Sequence, residues 1–252
     1  MLTGFKYLIF LFVVINGISC NKSPEKLLIR AAEQGNEGKV LFFLEKGVPV
    51  DAKDKQGYTA LMKAASNGQE KVVNLLIEKK AGVNAITVFG TTALMQAAWN
   101  GHLNIVKLLV ENKADIHMQG AGGWTALYFA ALSDRGHPEV VRFLLEKGAN
   151  PNIKDYMGLT LLMQAAWNGH LNIVKLLVEN KADIHMQGAG GWTALYFAAL
   201  SDREHPEIVR FLLEKGANPN IKNSMGLTLL RQVDGSRHPE ITQTLRHYGA
   251  QE

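Results

Sequence analysis

The sequence predicts an all-α repeat solenoid, in which helix–turn–helix units stack and are joined by β-hairpin-like loops. Residues 94–160 and 162–228 are nearly identical at an offset of 68 residues. A compact domain with one unique core could not accommodate such a duplicated block, whereas an array whose units contact only their neighbours can. The two blocks differ at four positions: Gly136/Glu204, Val140/Ile208, Asp155/Asn223 and Tyr156/Ser224.

A shorter period lies inside each block. Leu94-Met95-Gln96-Ala97-Ala98 returns 33 residues later as Leu127-Tyr128-Phe129-Ala130-Ala131. Related phrases upstream and downstream extend the pattern to seven copies, which we call units 1 to 7. Their predicted bounds are about 24–57, 58–90, 91–123, 124–158, 159–191, 192–226 and 227–250. Units 4 and 6 are two residues longer than units 2, 3 and 5.

Unit 3 illustrates the predicted elements of each copy. Thr92 is placed as the N-cap of a short first helix that runs to Trp99. Gly101 ends this helix, and a second helix begins near Leu103. A loop rich in glycine follows, where left-handed backbone angles cost little. The second helix carries an apolar stripe at helical spacing, Ile105, Val106, Leu108 and Leu109.

These phrases resemble the ankyrin repeat over roughly residues 24–250. The matching segments are Thr59-Ala60-Leu61-Met62-Lys63-Ala64-Ala65, Gly101-His102-Leu103-Asn104-Ile105-Val106 and Gly148-Ala149-Asn150-Pro151-Asn152. The resemblance implies a protein-binding array whose partners meet the concave face and the hairpin tips. One departure concerns the histidine of the family's first-helix phrase, so the hydrogen bonding of the turns is not expected to carry over. Its replacements are Met62, Met95, Tyr128, Met163, Tyr196 and Arg231.

Both ends of the array read as caps, so we expect the array to be complete. The last unit has Val233-Asp234 where inner units have paired alanines. Its second helix is more polar, which suits a face turned to water. At the other end, Ser23-Pro24-Glu25 combines a capping hydroxyl, a first-turn proline and an early carboxylate.

The first residues have the composition of an export signal. Residues 1–19 hold one lysine, no acid and a nine-residue apolar run at Tyr7–Ile15, which is too short to span a bilayer. They are predicted to be a signal peptide, and residues 20–23 a short tether. Cys20, the only cysteine, resembles the lipid acceptor of a bacterial lipoprotein, although Gly17 stands where leucine is usual. Ordinary cleavage before Cys20 is the alternative. A single cysteine excludes a disulfide within the chain.

Charge and motifs exclude several classes of function. The net charge is only +4, from 27 Lys and Arg and 23 Asp and Glu, and no basic stripe suited to nucleic acid is present. His117 and His185 lack further ligands at metal spacing. Gly120-Ala121-Gly122-Gly123 lacks the Lys-Ser/Thr of a phosphate loop and is predicted to be a hairpin turn. We therefore expect no metal, cofactor, small-molecule substrate or catalytic residue.

Aromatic residues provide the candidate site. They occupy slots that the resemblance places on the concave face and hairpin tips, while Leu, Ile, Val and Ala already fill the stacking stripes. Exposed aromatic side chains at neighbouring positions are typical binding anchors. The alternative is that each ring packs against the next unit. The predicted partner-binding residues are Tyr58, Phe89, Trp99, Trp124, Tyr156, Trp167 and Trp192.

Three functional hypotheses follow. The leading one is a non-enzymatic protein-interaction scaffold that is exported and tethered to a membrane through Cys20. The second is a passive structural spacer of the cell envelope, in which the aromatic rings hold the units together. The third, a remote one, is an enzyme whose site has no recognised motif. Solvent access to the tryptophan rings separates the first two, and a pocket with strongly shifted pKa values would indicate the third.

Overall fold

A computed structural model describes residues 23–133, 136–233 and 238–252, and the predicted signal peptide and Cys20 lie outside these ranges. The described residues form an all-helical stack of paired helices, which confirms the predicted fold class. None of these helices is long and apolar enough to cross a bilayer. The α-helices are α1 Pro24–Glu33, α2 Glu37–Glu45, α3 Ala60–Ser66, α4 Glu70–Glu78, α5 Ala93–Trp99, α6 Leu103–Glu111, α7 Ala126–Leu132, α8 Pro138–Glu146, α9 Leu161–Trp167, α10 Leu171–Glu179, α11 Ala194–Ala199, α12 Pro206–Glu214 and α13 Pro239–His247.

In units 2, 3 and 5, the start and end of the first helix follow from a threonine and a glycine. Thr92 has extended backbone angles, and its hydroxyl accepts a hydrogen bond of 3.2 Å from the Met95 amide, as expected of an N-cap. After α5, Gly101 adopts a φ of 72°, which an L-residue rarely adopts, and the chain turns into α6. Both predictions for unit 3 are confirmed.

The first helices pack more closely on one another than the second helices do. Their paired alanines are fully buried, because a methyl side chain allows two helix backbones to approach closely. The first helices therefore form the tighter layer of the stack. We call the solvent-facing side of this layer the inner face.

Each loop closes as a hairpin and contacts the next one. In the loop before unit 4, the Gly120 amide donates to the Trp124 carbonyl at 3.0 Å. Residues Ala121–Gly123 form one turn of 3₁₀-helix, with Gly122 at a φ of 86°. The prediction of a hairpin turn at this glycine-rich segment is therefore confirmed. The Ala121 amide also donates to the Phe89 carbonyl of the preceding hairpin at 2.8 Å.

The two ends of the array differ from expectation in detail. Ser23 makes no side-chain cap on α1, although the helix begins at Pro24 as predicted. Its side chain is hydrogen bonded to the Glu25 carboxyl instead and lowers the pKa of that group. In unit 7, the described residues 227–233 form turns and no first helix. Val233 replaces the alanine that suits this helix elsewhere, and a β-branched residue has a lower helix propensity.

In units 4 and 6, a tyrosine makes hydrogen bonds at the position where the family has histidine. Buried Tyr128 donates from its hydroxyl towards the carbonyls of Ile153 and Leu159, both at 2.9 Å. Tyr196 makes the same pair of contacts in the second block, to Ile221 and Leu227. The expectation that hydrogen bonding at this slot would not carry over is therefore wrong for units 4 and 6, because a phenol reaches the next hairpin.

The junction between units 4 and 5 is looser than the others in the first-helix layer. Leu161 occupies the position that is Ala60, Ala93, Ala126 or Ala194 in other units, and it is fully buried. Leu161 is bulkier than alanine, so α9 cannot approach α7 at this position as closely as the alanine-bearing helices can. The duplicated blocks therefore form two tight pairs, units 3 and 4 and units 5 and 6.

Candidate protein-binding surface

Trp99 and Trp167 lie at the ends of α5 and α9 and remain 41% exposed. Each ring also packs edge-on against a phenylalanine of the next unit. The ring centroids of Trp99 and Phe129 are 6.0 Å apart with an interplanar angle of 80°, and those of Trp167 and Phe197 are 6.1 Å apart at 81°. These two rings are therefore exposed and also connect neighbouring units.

Trp124 and Trp192 are partly buried at the starts of units 4 and 6. Trp124 packs edge-on against Phe129 at 5.9 Å. Its Nε1 is buried and has no hydrogen-bond partner among the described residues. Trp192 instead packs against Tyr196 at 5.0 Å. A larger part of these two rings than of Trp99 and Trp167 is therefore buried by packing within the array.

Two aromatic clusters result, one in each duplicated block. Cluster 1 consists of Trp99, Trp124 and Phe129. Cluster 2 consists of Trp167, Trp192, Tyr196 and Phe197, and together with Leu200 it lines an apolar cleft of about 280 Å³. An open apolar cleft with aromatic walls is suited to a bulky apolar side chain of a partner.

The other predicted residues lie apart from these clusters. Tyr58 is partly buried, and the Lys63 ammonium lies 4.2 Å from the centre of its ring, within cation–π distance. Phe89 and Tyr156 lie in hairpin tips and are exposed. The structure therefore brings four of the seven predicted residues into two clusters and leaves three elsewhere.

Phe129 and Phe197 are functional candidates outside the set predicted from the sequence. They follow the tyrosine of the first-helix phrase, where units 2, 3 and 5 have Lys63, Gln96 and Gln164. A charged or amide residue at this position in some units indicates that the position is exposed to solvent. An aromatic residue at the same position of another unit is therefore a sequence signal for a binding surface.

The inner face is uncharged where the clusters lie. The first helices of units 3 to 6 contain no Asp, Glu, Lys or Arg. Cations flank this stretch, with Arg30 and Lys63 on one side and Arg231 on the other. Lys63 is paired with Glu33 at 3.9 Å, so a partner would meet an apolar middle between charged ends, of mixed sign on the Lys63 side.

Three of the histidines at the second-helix starts connect neighbouring units. The Nε2 of His102, His137 and His205 donates to a carbonyl of the preceding unit, at 3.1, 3.0 and 3.2 Å respectively. Burial, and secondarily the neighbouring His205, lowers the pKa of His170. Burial also raises the pKa of Tyr128 and Tyr196. Among the described residues, no group of His, Cys, Asp and Glu is arranged to hold a metal ion.

Comparison with known proteins assigns the family. The family model described as "Ankyrin repeats (3 copies)" matches residues 3–87, 28–120, 80–155 and 155–223. The chain belongs to the ankyrin repeat family. The human ASB11 ankyrin repeat domain superimposes with a TM-score of 0.77 at 26% identity, covering 92% of this chain and 100% of that one. The ankyrin repeat domain of Bcl-3 gives a TM-score of 0.77 at 28% identity, covering 90% and 100%.

Curated relatives match over parts of their length. A probable E3 ubiquitin-protein ligase of Oryza sativa, XBOS32, is 39% identical over 94 residues, 36% of this chain and 18% of that protein. Mouse protein phosphatase 1 regulatory subunit 27 is 40% identical over 88 residues, 35% of this chain and 56% of that protein. The matches thus cover less than two thirds of these relatives. Ankyrin repeats are protein–protein interaction domains and in general carry no catalytic activity of their own.

Proposed function

We propose that this ankyrin array is a non-enzymatic scaffold that captures a protein partner on its inner face, through clusters 1 and 2. The observation that carries the proposal is the exposure of Trp99 and Trp167 on an uncharged surface. The two rings lie two units apart, roughly 20 Å at the usual helix-packing distance per unit. Two anchors at this separation suit an extended protein surface better than a small ligand.

A second candidate function is a structural spacer, and one observation favours it. Trp99 and Trp167 each pack on a phenylalanine of the following unit, so the rings stabilise the stack whether or not a partner binds. Edge-to-face pairs contribute about 0.5–1.5 kcal/mol beyond their buried area. A spacer needs this packing alone, whereas a scaffold also needs the exposed part of each ring.

Capture from an extract of the source cells, with the array immobilised as bait, distinguishes these functions. The scaffold predicts that specific proteins are retained by the wild type and lost with the double variant Trp99→Ala/Trp167→Ala. Phe42→Ala is the matched control, because Phe42 is also an exposed aromatic residue and lies on the second-helix layer. Equal retention by wild type and double variant would leave the spacer as the function.

We further propose that the protein is exported and held at a membrane by an acyl chain on Cys20, as in a bacterial lipoprotein. Support comes from the apolar run before the only cysteine. Asn21 and Lys22 would then join Cys20 to Ser23 at the start of the array, a reach of about 7 Å when extended. The array would stand close to the bilayer. Cleavage without acylation would give a soluble periplasmic or secreted protein instead.

Fractionation and metabolic labelling test the anchor. The wild type should incorporate a labelled fatty acid and sediment with membranes, and Cys20→Ser should do neither. Recovery of unlabelled mature wild type in the soluble fraction, without detergent, would refute the lipid anchor while leaving the partner-binding proposal in place.

A further inference from the structure

Exposed large apolar side chains are concentrated at the hairpin tips. Ten large hydrophobic residues of the described chain are exposed, and six of them belong to the hairpins. Exposure reaches 67% for Val88, 76% for Tyr156 and 68% for Met225. Burying large apolar groups is a main driving force of folding, so a concentration of exposed ones indicates an interaction surface. The six are Ile86, Val88, Phe89, Tyr156, Met157 and Met225.

Hydrogen bonds connect these tips in one row, which we call the fingertip ridge. Backbone bonds join the hairpins up to that of Tyr156, and the Lys154 ammonium bonds to the Gln187 carbonyl of the next one. The Val88 amide donates to the Gln56 carbonyl at 3.0 Å, and the Tyr156 amide to the Gly122 carbonyl at 3.1 Å. The Ser224 amide makes the same kind of bond, to the Gly190 carbonyl of the preceding hairpin at 2.9 Å. The apolar side chains therefore project from a fixed edge of the array and not from independent loops.

Lysines border the ridge, and the nearby carboxylates are engaged by the loops. Lys53 and Lys154 each donate from Nζ to a carbonyl of the next hairpin, at 2.9 and 2.7 Å. Asp155 is buried and accepts from two amides of its own turn. In the second block this residue is Asn223, which removes the negative charge altogether. The exposed lysines of the ridge are Lys53, Lys55, Lys154 and Lys222.

We propose that the fingertip ridge docks on the surface of an anionic lipid bilayer, with its apolar tips in the headgroup region and its lysines against the lipid phosphates. Apolar side chains flanked by exposed cations are the composition of interfacial membrane-binding surfaces. The ridge makes this contact without Cys20 and independently of partner capture on the inner face.

The spacing of the tips favours a bilayer over a protein as the occupant. Bulky tips at Val88-Phe89, Tyr156-Met157 and Met225 alternate with the small tips at Ala121 and Ala189. The insertion points are therefore about 20 Å apart, with glycine-rich turns between them. The same separation suits a protein at Trp99 and Trp167, because those rings lie on packed helices and Trp167 borders a formed apolar cleft, whereas the tips stand on hairpin turns. A bilayer accepts separate insertions because it has no fixed shape.

Dye labelling tests the proposal on the full chain. Cys20→Ser makes the chain free of cysteine, so a polarity-sensitive dye can be placed by Phe89→Cys or Tyr156→Cys. Asn74→Cys is the control, because Asn74 is exposed on second helix α4. Vesicles of phosphatidylcholine with phosphatidylglycerol should shift the emission of both tip dyes to the blue and leave the Asn74 dye unchanged. Pure phosphatidylcholine should give a much smaller shift.

Charge removal provides a second measurement. Each lysine near an anionic surface should strengthen binding about fivefold, so replacing Lys53, Lys154 and Lys222 with Gln should weaken vesicle binding about a hundredfold. The same loss should occur at about 1 M salt. Replacing Lys107 and Lys175 on the second helices is the control and should have little effect. Tip dyes that do not respond to anionic vesicles, or that respond no more than the Asn74 dye, overturn the proposal. If tip substitutions abolish partner capture instead, the ridge is a protein interface.

Discussion

Replacing Trp99 with alanine should lower stability and abolish partner capture, and the two effects can be separated. Slightly more than half of the side chain is withdrawn from water. For a tryptophan this is about 130 Å², or about 3 kcal/mol at about 25 cal/mol per Å² as an upper bound. Because the site is half open and can relax, we expect a loss of about 2 kcal/mol, measured by thermal and denaturant unfolding. This exceeds the near-zero effect expected of a ring that serves only as a binding anchor.

Leu109→Ala is the variant that separates stability from binding. Leu109 is fully buried on α6, the second helix of the same unit, and belongs to neither cluster, so its truncation should destabilise the array by about 2–5 kcal/mol. It leaves Trp99 and the rest of cluster 1 in place. At a temperature where both variants are folded, Leu109→Ala should retain partner capture and Trp99→Ala should lose it. If the two variants lose capture equally, the rings only hold the units together and the scaffold is refuted.

Three further predictions concern the stack itself. Tyr128→Phe should cost about 1–2 kcal/mol, or roughly 2–8 °C in melting temperature, because carbonyls of the next hairpin lose their phenol donor; an unchanged melt would show that the hydroxyl does not hold the hairpin. The lowered pKa of His170 means that the unfolded chain protonates first as pH falls below about 6.5, so stability drops on the acid side. His170→Gln should reduce this drop in melts between about pH 7.5 and 5, and an unchanged pH dependence would contradict the assignment. Deleting residues 94–161 in register should leave a folded, cooperatively melting shorter array by circular dichroism, and an unfolded product would refute the modular account.

Much of the fold could be predicted because each unit repeats local signals that do not depend on distant contacts. Thr92 caps α5 through a bond to an amide three residues away, and Gly101 ends the turn through its own backbone angles. The paired alanines indicate close helix packing because their side chains are small. Short-range signals repeated along the chain therefore predict the stack of paired helices, with an error at the first helix of unit 7, where the described residues 227–233 form turns.

The parts that could not be predicted depend on contacts between units. The sequence shows tyrosine in place of histidine at position 128, but the reach of its hydroxyl to Leu159 depends on where the next hairpin lies. Leu161 is likewise larger than the alanine of other units, and this difference affects the packing only because α7 lies beside it. Whether Trp99 is an anchor or part of the packing was open for the same reason, and its half-exposed ring has both properties.

The array thus divides its unpaired apolar surface into two regions of different chemistry. Clusters 1 and 2 lie among uncharged first helices, where a partner can bury a side chain in a formed cleft such as that beside Trp167 and Trp192. The fingertip ridge offers separate apolar tips among lysines and suits a soft anionic surface. Because the ridge is fixed by hydrogen bonds between hairpins and the clusters by packing between helices, substitutions in one region should leave the other unchanged. Loss of vesicle binding in Trp99→Ala, or of partner capture in the lysine variants, would show instead that both regions serve one interface.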